Sequence, residues 1–137
     1  MDMTITFPGG KRVDASFDGH TVHTDQSVQS GGDGSAPEPF ATFLASIGTC
    51  AGIYVLGFCQ ARGLPTQDVR LIQHNELDPA THRVTKISIE VLVPASFPEK
   101  YRAAVQRAAD QCLVKKTIQS PPEFDVRTVV DSVRPAV

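Results

Sequence analysis

The 137-residue chain has too few cysteines for a disulfide scaffold: there are three, and an odd number leaves at least one thiol unpaired. It also lacks an excess of charge of either sign. With a net charge of -2 and basic residues adjacent only as Lys11-Arg12 and Lys115-Lys116, nothing favours nucleic acid as a partner. No low-complexity tract, internal repeat or inter-domain linker interrupts the chain. Met1-Asp2-Met3-Thr4 shows neither the positive leader nor the apolar stretch of a secretory signal, so cytoplasm is the expected location. There a cysteine pair is redox-active or simply buried rather than a permanent staple. The glycine-rich run Gln29 to Ser35 lacks the spacing and terminal lysine of a phosphate-binding loop and reads as a connector. Of the four histidines, His20 and His23 fall on opposite faces of a strand, and His74 and His82 flank different ends of a hairpin. None has zinc-site spacing, so no metal or other bound cofactor is expected.

What is present is an ordinary globular composition, 41% hydrophobic and 20% charged, with room for one core; a single domain over residues 1–137 is expected. Ile5 to Phe7, Arg12 to Phe17 and Thr21 to Thr24 read as short strands, the last two joined by the hairpin signal Asp18-Gly19. Pro37-Glu38-Pro39 opens a helix that runs to about Arg62, where Gly63-Leu64-Pro65 ends it. Val69 to Leu77 and Val84 to Val93 form a longer hairpin around Asp78-Pro79-Ala80-Thr81. A second helix runs from Phe97-Pro98 to about Cys112, with Tyr101, Ala104, Val105, Ala108 and Cys112 on its apolar stripe. Phe124 to Val130 reads as a last strand. The order βββ-α-ββ-α-β predicts an α+β domain with largely antiparallel sheet.

Between Pro39 and Ala61 there is no charged residue, and apolar side chains cover every side of the helix. A run of this length could span a membrane. It is diluted by Thr42, Ser46, Gly48, Thr49, Gly52 and Gly57 and has no aromatic belt or basic flank, so no membrane partner is expected. A helix apolar all round must be buried all round. A second copy of the chain is the simplest cover, with Ala45, Gly48, Ala51 and Gly52 allowing close approach; a homodimer is expected.

Cys50 lies midway along this helix. Cys59, nine residues on, projects to the opposite side, so the two cannot bridge within one helix. Cys112 is the thiol that could pair with Cys50 if the two helices pack. A cysteine in an apolar helix is usually only a small hydrophobe. A reactive one needs its thiolate stabilised by a cation, a hydrogen bond or a helix N-terminus; Cys50 is too deep in its own helix for that N-terminus, so a basic side chain from elsewhere is expected.

Gly34-Ser35-Ala36-Pro37-Glu38-Pro39-Phe40 followed by Phe43 to Cys50 resembles the Gly-x-x-Pro and first-cysteine segment of the OsmC/Ohr family. Cys112-Leu113-Val114-Lys115-Lys116-Thr117-Ile118 is similar to that family's second-cysteine motif, with Leu113 where proline is usual. The resemblance implies an OsmC-like fold, with antiparallel sheets wrapping central helices in an intertwined homodimer. It implies a thiol-dependent peroxidase of the oxidative stress response: Cys50 attacks an organic hydroperoxide, Cys112 resolves the sulfenic acid as a disulfide, and an external dithiol resets the pair. A lipoylated protein is one candidate for that reductant. The family's thiolate-stabilising arginine corresponds to Arg12, with Lys11 as the substitute. Its helix carboxylate falls at Phe40 or Ala41, neither of which is acidic; Glu38 and Glu123 are the nearby acids. That departure leaves a non-catalytic dimer, binding a small apolar ligand or electrophile at the cysteine pocket, as the alternative.

Overall fold

The structure, a computed structural model, describes residues 1–131. The first three strands form an antiparallel sheet in the order β1-β2-β3: β1 (Thr4–Gly9), β2 (Arg12–Phe17) and β3 (His20–Thr24). Asp18 (φ 47°) and Gly19 (φ 77°) make the tight turn between β2 and β3, both in the left-handed region that a two-residue hairpin with native twist requires. The helix α1 (Pro39–Ala61) follows, then the antiparallel pair β4 (Arg70–Leu77) and β5 (Val84–Leu92), and two further helices, α2 (Glu99–Ala109) and α3 (Leu113–Gln119). The α+β class and the antiparallel pairing agree with the expected order up to the second helix.

Two expectations fail beyond it. The second helix does not continue to Cys112: it ends at Ala109, and Cys112 (ψ 118°) is extended, capping a separate α3. Residues Phe124 to Val130 are not a strand. Phe124, Val126 and Val130 are almost fully exposed, and the sheet order contains no sixth strand among the described residues. The apolar alternation was genuine, but a strand exists only where another backbone takes its N–H and C=O groups.

One face of α1 makes the core. Ile47, Ala51, Val55 and Cys59, spaced by four, are buried. Val55 and Cys59 pack with Phe97 and Val105, ringed by partly buried residues of β4, β5 and α2. The helix stops as the sequence foretold: Gly63 (φ 63°) donates its N–H to Gln60 and Leu64 donates to Cys59, the paired bonds that satisfy the last carbonyls. Ile53, opposite that stripe, and Tyr54 beside it are exposed, as are Phe40 and Phe43 in the first turns of the helix. The small residues divide differently from the expectation. Ala51 is in the core, and Gly48 receives β4 of the same chain: Gln73 donates to the Leu44 carbonyl at 2.9 Å, and a Cβ at Gly48 would lie 2.6 Å from its Oε1. Ala45 is exposed and Gly52 faces open space.

The N-terminal sheet contributes no residue to that core and is held instead by the loop that leads into α1. Asp25, at the end of β3, is fully buried. Its carboxylate accepts the Ser35 hydroxyl (2.6 Å) and the main-chain N–H groups of Gln26, Asp33 and Ser35. Its own N–H donates to Pro37, and the N–H of Ser27 donates to Glu38. Gly32 closes the loop so tightly that a Cβ there would run into the Gln26 carbonyl.

The bonds from Ser35, side chain first and then main chain, hold the Asp25 carboxyl down at about 2, against an ordinary 3.8. A lowered carboxyl stabilises the fold fully above its ordinary value and loses that contribution as pH falls towards 2. Urea unfolding of Asp25→Asn beside the wild type is therefore expected to show lower stability for the variant, with a gap that is constant near neutrality and narrows in strong acid.

Candidate functional site

Cys50 and Cys112 come together where α3 abuts α1. Cys112 is the N-cap of α3: its sulfur accepts the Lys115 N–H at 3.3 Å and its thiol faces the Ile47 carbonyl, 3.6 Å away and one turn before Cys50. The first N–H groups of a helix have no partner within it. At α3 they face sulfur: Lys115 donates to Cys112, and the Val114 and Leu113 N–H groups act on Cys50.

These donors set the two thiols apart. The Val114 N–H acts most strongly on Cys50 and lowers its pKa, helped by the Cys112 thiol and the Leu113 N–H against the opposing effect of burial. Burial pushes the Cys112 thiol up, and the neighbouring Cys50 adds to that rise. Cys50 is half-buried while Cys112 is 2% exposed, so the lower-pKa thiol is also the more accessible one. Such a pair can do nucleophilic chemistry at Cys50 and capture the product at Cys112. Cys59 takes no part: it is fully buried in the core and raised by that burial.

The sequence called for a basic side chain at Cys50; within the chain the stabilisation comes from main-chain N–H groups instead. Arg12 lies exposed on β2, with its Nε donating to the Gly9 carbonyl at 3.2 Å, and is not among the groups acting on Cys50. Lys11 lies at the turn beside it, next to Gly31 of the loop. Phe40 is exposed, and Glu38 spends its carboxylate on Ser27. Glu123 is exposed and outside any element. The histidines stay apart: His23 bonds Asp14 at 2.8 Å on the first sheet, while His74 faces Glu90 at 3.8 Å on the second. Residues 113 and 114 were missed because their contribution is main-chain. The available signal was the family's proline after the second cysteine, a residue favoured at the first position of a helix.

Comparison with known proteins settles the lineage. The family profile described as OsmC-like protein matches residues 32–127, a span that includes both cysteines. The chain belongs to the OsmC-like family. No curated protein sequence matches it. Solved OsmC-like folds superpose over most of the chain. An OsmC-like protein of Mycoplasma pneumoniae has a TM-score of 0.67 at 12% identity, covering 88% of this chain and 87% of its own. A Psychrobacter arcticus protein assigned to osmotic stress induction and detoxification response gives 0.70 at 18%, covering 84% and 85%. An organic hydroperoxide resistance protein OsmC of Legionella pneumophila gives 0.52 at 17%, covering 87% and 90%. At these identities the likeness is one of fold.

Leu113→Pro tests the main-chain donors. Proline fits the first helical position, and the extended Cys112 tolerates it as a successor, so the fold is retained while one N–H is lost. The pH profile of Cys50 alkylation, followed by peptide mapping, is expected to move to higher pH. In the wild type Cys50 is expected to react at lower pH than Cys112, and Cys59 last.

Proposed function

We propose that this OsmC-like protein is a cytoplasmic thiol-dependent peroxidase for organic hydroperoxides, acting as a homodimer with Cys50 peroxidatic and Cys112 resolving. The observation that carries the reading is the thiol pair itself: a Cys50 sulfur stabilised as thiolate by the first N–H groups of α3, in contact with a second, higher-pKa thiol. The Cys50 thiolate attacks one peroxide oxygen and the O–O bond breaks, leaving Cys50 as sulfenic acid and releasing the alkoxide, which takes a proton to become the alcohol. The Cys112 thiol then attacks the sulfenic sulfur, expelling water and forming the disulfide. This keeps Cys50 off the irreversible rungs of oxidation. An external dithiol restores both thiols.

The dimer is supported by the bare face of α1 around Ile53, which is 59% exposed, and by Phe40 in the first turn, 51% exposed, on a helix with no charge to solvate. A second copy laid on that face covers it. Arg12 belongs to a sheet that shares no buried core with α1, so in this reading it reaches the Cys50 thiolate from the other copy. The exposed Phe124–Val130 segment finds its strand partner in the same intertwined assembly.

The alternative, a non-catalytic dimer that binds a small apolar ligand or electrophile, draws on one feature. Phe40 and Ala41 offer no carboxylate near Cys50, and the nearest acid, Glu38, is bonded to Ser27.

Steady-state consumption of cumene hydroperoxide and hydrogen peroxide with dithiothreitol separates the two readings. Faster turnover of the organic peroxide is expected, lost in Cys50→Ser; in Cys112→Ser a sulfenic acid or mixed disulfide is expected to accumulate. Absence of turnover with Cys50 still readily alkylated would favour the binding role. Sedimentation equilibrium is expected to give the mass of two chains, and Ile53→Lys is expected to shift it towards one.

A further inference from the structure

A cavity of about 700 Å³ lies between β5 and α2 and is not needed for the step at Cys50. Its apolar wall is built from Ile87, Ile89 and Val91 of β5 facing Val105 of α2, and it reaches Ile47 on the core side of α1. Cys112 lines it and Cys50 does not. The charged side chains around it are Arg102, Arg107, Lys115, Glu90 and Asp110. Lys115 is paired with Asp110 and Glu90 faces His74. Arg102 and Arg107 have no ion-pair partner among the described residues, so the rim is net positive around an apolar interior.

We propose that this cavity admits the reducing thiol, which attacks the sulfur of Cys112 rather than that of Cys50, and that Arg102 and Arg107 select a thiol on an aliphatic stem carrying an anionic group. The inference rests on the peroxidase reading for its place in the cycle. The incoming thiolate bonds to Sγ of Cys112, the Cys50–Cys112 bond breaks, and its electron pair leaves on Cys50. A second thiolate then attacks the sulfur of the bound reductant, which departs as its own disulfide, and Cys112 takes a proton. Two electrons pass from two thiols to the protein disulfide, and both cysteines return reduced.

Position and leaving-group ability agree on that direction. Cys112, buried from the surface, is the cysteine that lines the cavity, and Cys50 is not; thiol–disulfide exchange is also faster when the departing thiol has the lower pKa. Cys50, held low by the Val114 and Leu113 N–H groups, is the better leaving group of the two. A bare face of α1 covered by a second copy does not close the cavity from the core side, because Ile47 belongs to the opposite, buried stripe.

The test begins with the full-length protein oxidised by diamide, so that it does not depend on peroxidase activity. The disulfide is pulsed with 3-mercaptopropionate, 2-mercaptoethanol or cysteamine, quenched in acid, and the mixed disulfide is mapped by peptide mass spectrometry. The adduct is expected on Cys112. The anionic thiol is expected to react faster than the neutral one at the same thiolate concentration, and the cationic one slowest, with about tenfold between the extremes. In Arg102→Gln/Arg107→Gln that order is expected to collapse while the neutral thiol keeps its rate. An adduct on Cys50, no disulfide with diamide, or charge-independent rates in the wild type would overturn the proposal. Disulfide formed by diamide but not by hydroperoxide, with the adduct still on Cys112, would retain it and sink the peroxidase reading instead.

Discussion

Everything distinctive about the cysteine site depends on how the N-terminus of α3 meets α1. A helix start exposes N–H groups that its own ladder cannot use, and here they are directed at two sulfur atoms. The break after Ala109 makes this possible: had α2 continued through Cys112, the N–H groups of Leu113, Val114 and Lys115 would have bonded carbonyls of their own helix. Cys112 therefore has two tasks. It caps α3 with its sulfur and stands next to Cys50. The same corner gives the two thiols opposite pKa directions.

The N-terminal sheet is attached on a different principle. It packs no residue into the core, and its position relative to α1 is set by a short polar loop centred on one buried carboxylate. Asp25 gathers donors from both ends of the loop, Gln26 beside it and Ser35 ten residues on, while Glu38 at the start of α1 takes the Ser27 N–H. A buried charge is tolerated when its oxygens are fully bonded, and here they are. Gly32 allows the loop to close at a point where no side chain would fit.

On α1 the two faces have different fates for the same physical reason. The stripe Ile47, Ala51, Val55 and Cys59 is covered by α2 and the β4–β5 sheet, and Gly48 beside it lets Gln73 of β4 come close enough to bond the Leu44 carbonyl. Ile53 and Tyr54, away from that stripe, have no cover among the described residues. The charge-free composition of the helix suits a position between two packing partners, of which the described residues supply the first. The one helix among the described residues long and apolar enough to span a membrane thus serves as a core helix.

By itself the sequence determined the α+β class, the five strands and the extent of α1, because turn residues, proline, glycine and apolar periodicity act within a few residues of one another. Asp18-Gly19, Pro39 and Gly63 each sit where a local backbone conformation demanded them. Cys50 and Cys112 were likewise legible from their surrounding motifs. Tertiary structure decided what lies between them. The apolar spacing of Tyr101 to Cys112 is compatible with one helix or with a helix and a corner, and only packing against Ile47 selects the corner. The same holds for Phe124 to Val130, whose alternation marks a strand that needs another backbone to exist. Asp25 and the N–H groups of Leu113 and Val114 gave no signal in the pattern, because a carboxylate's partners and a helix end's orphan donors are fixed by where the chain folds back, not by the residues next to them.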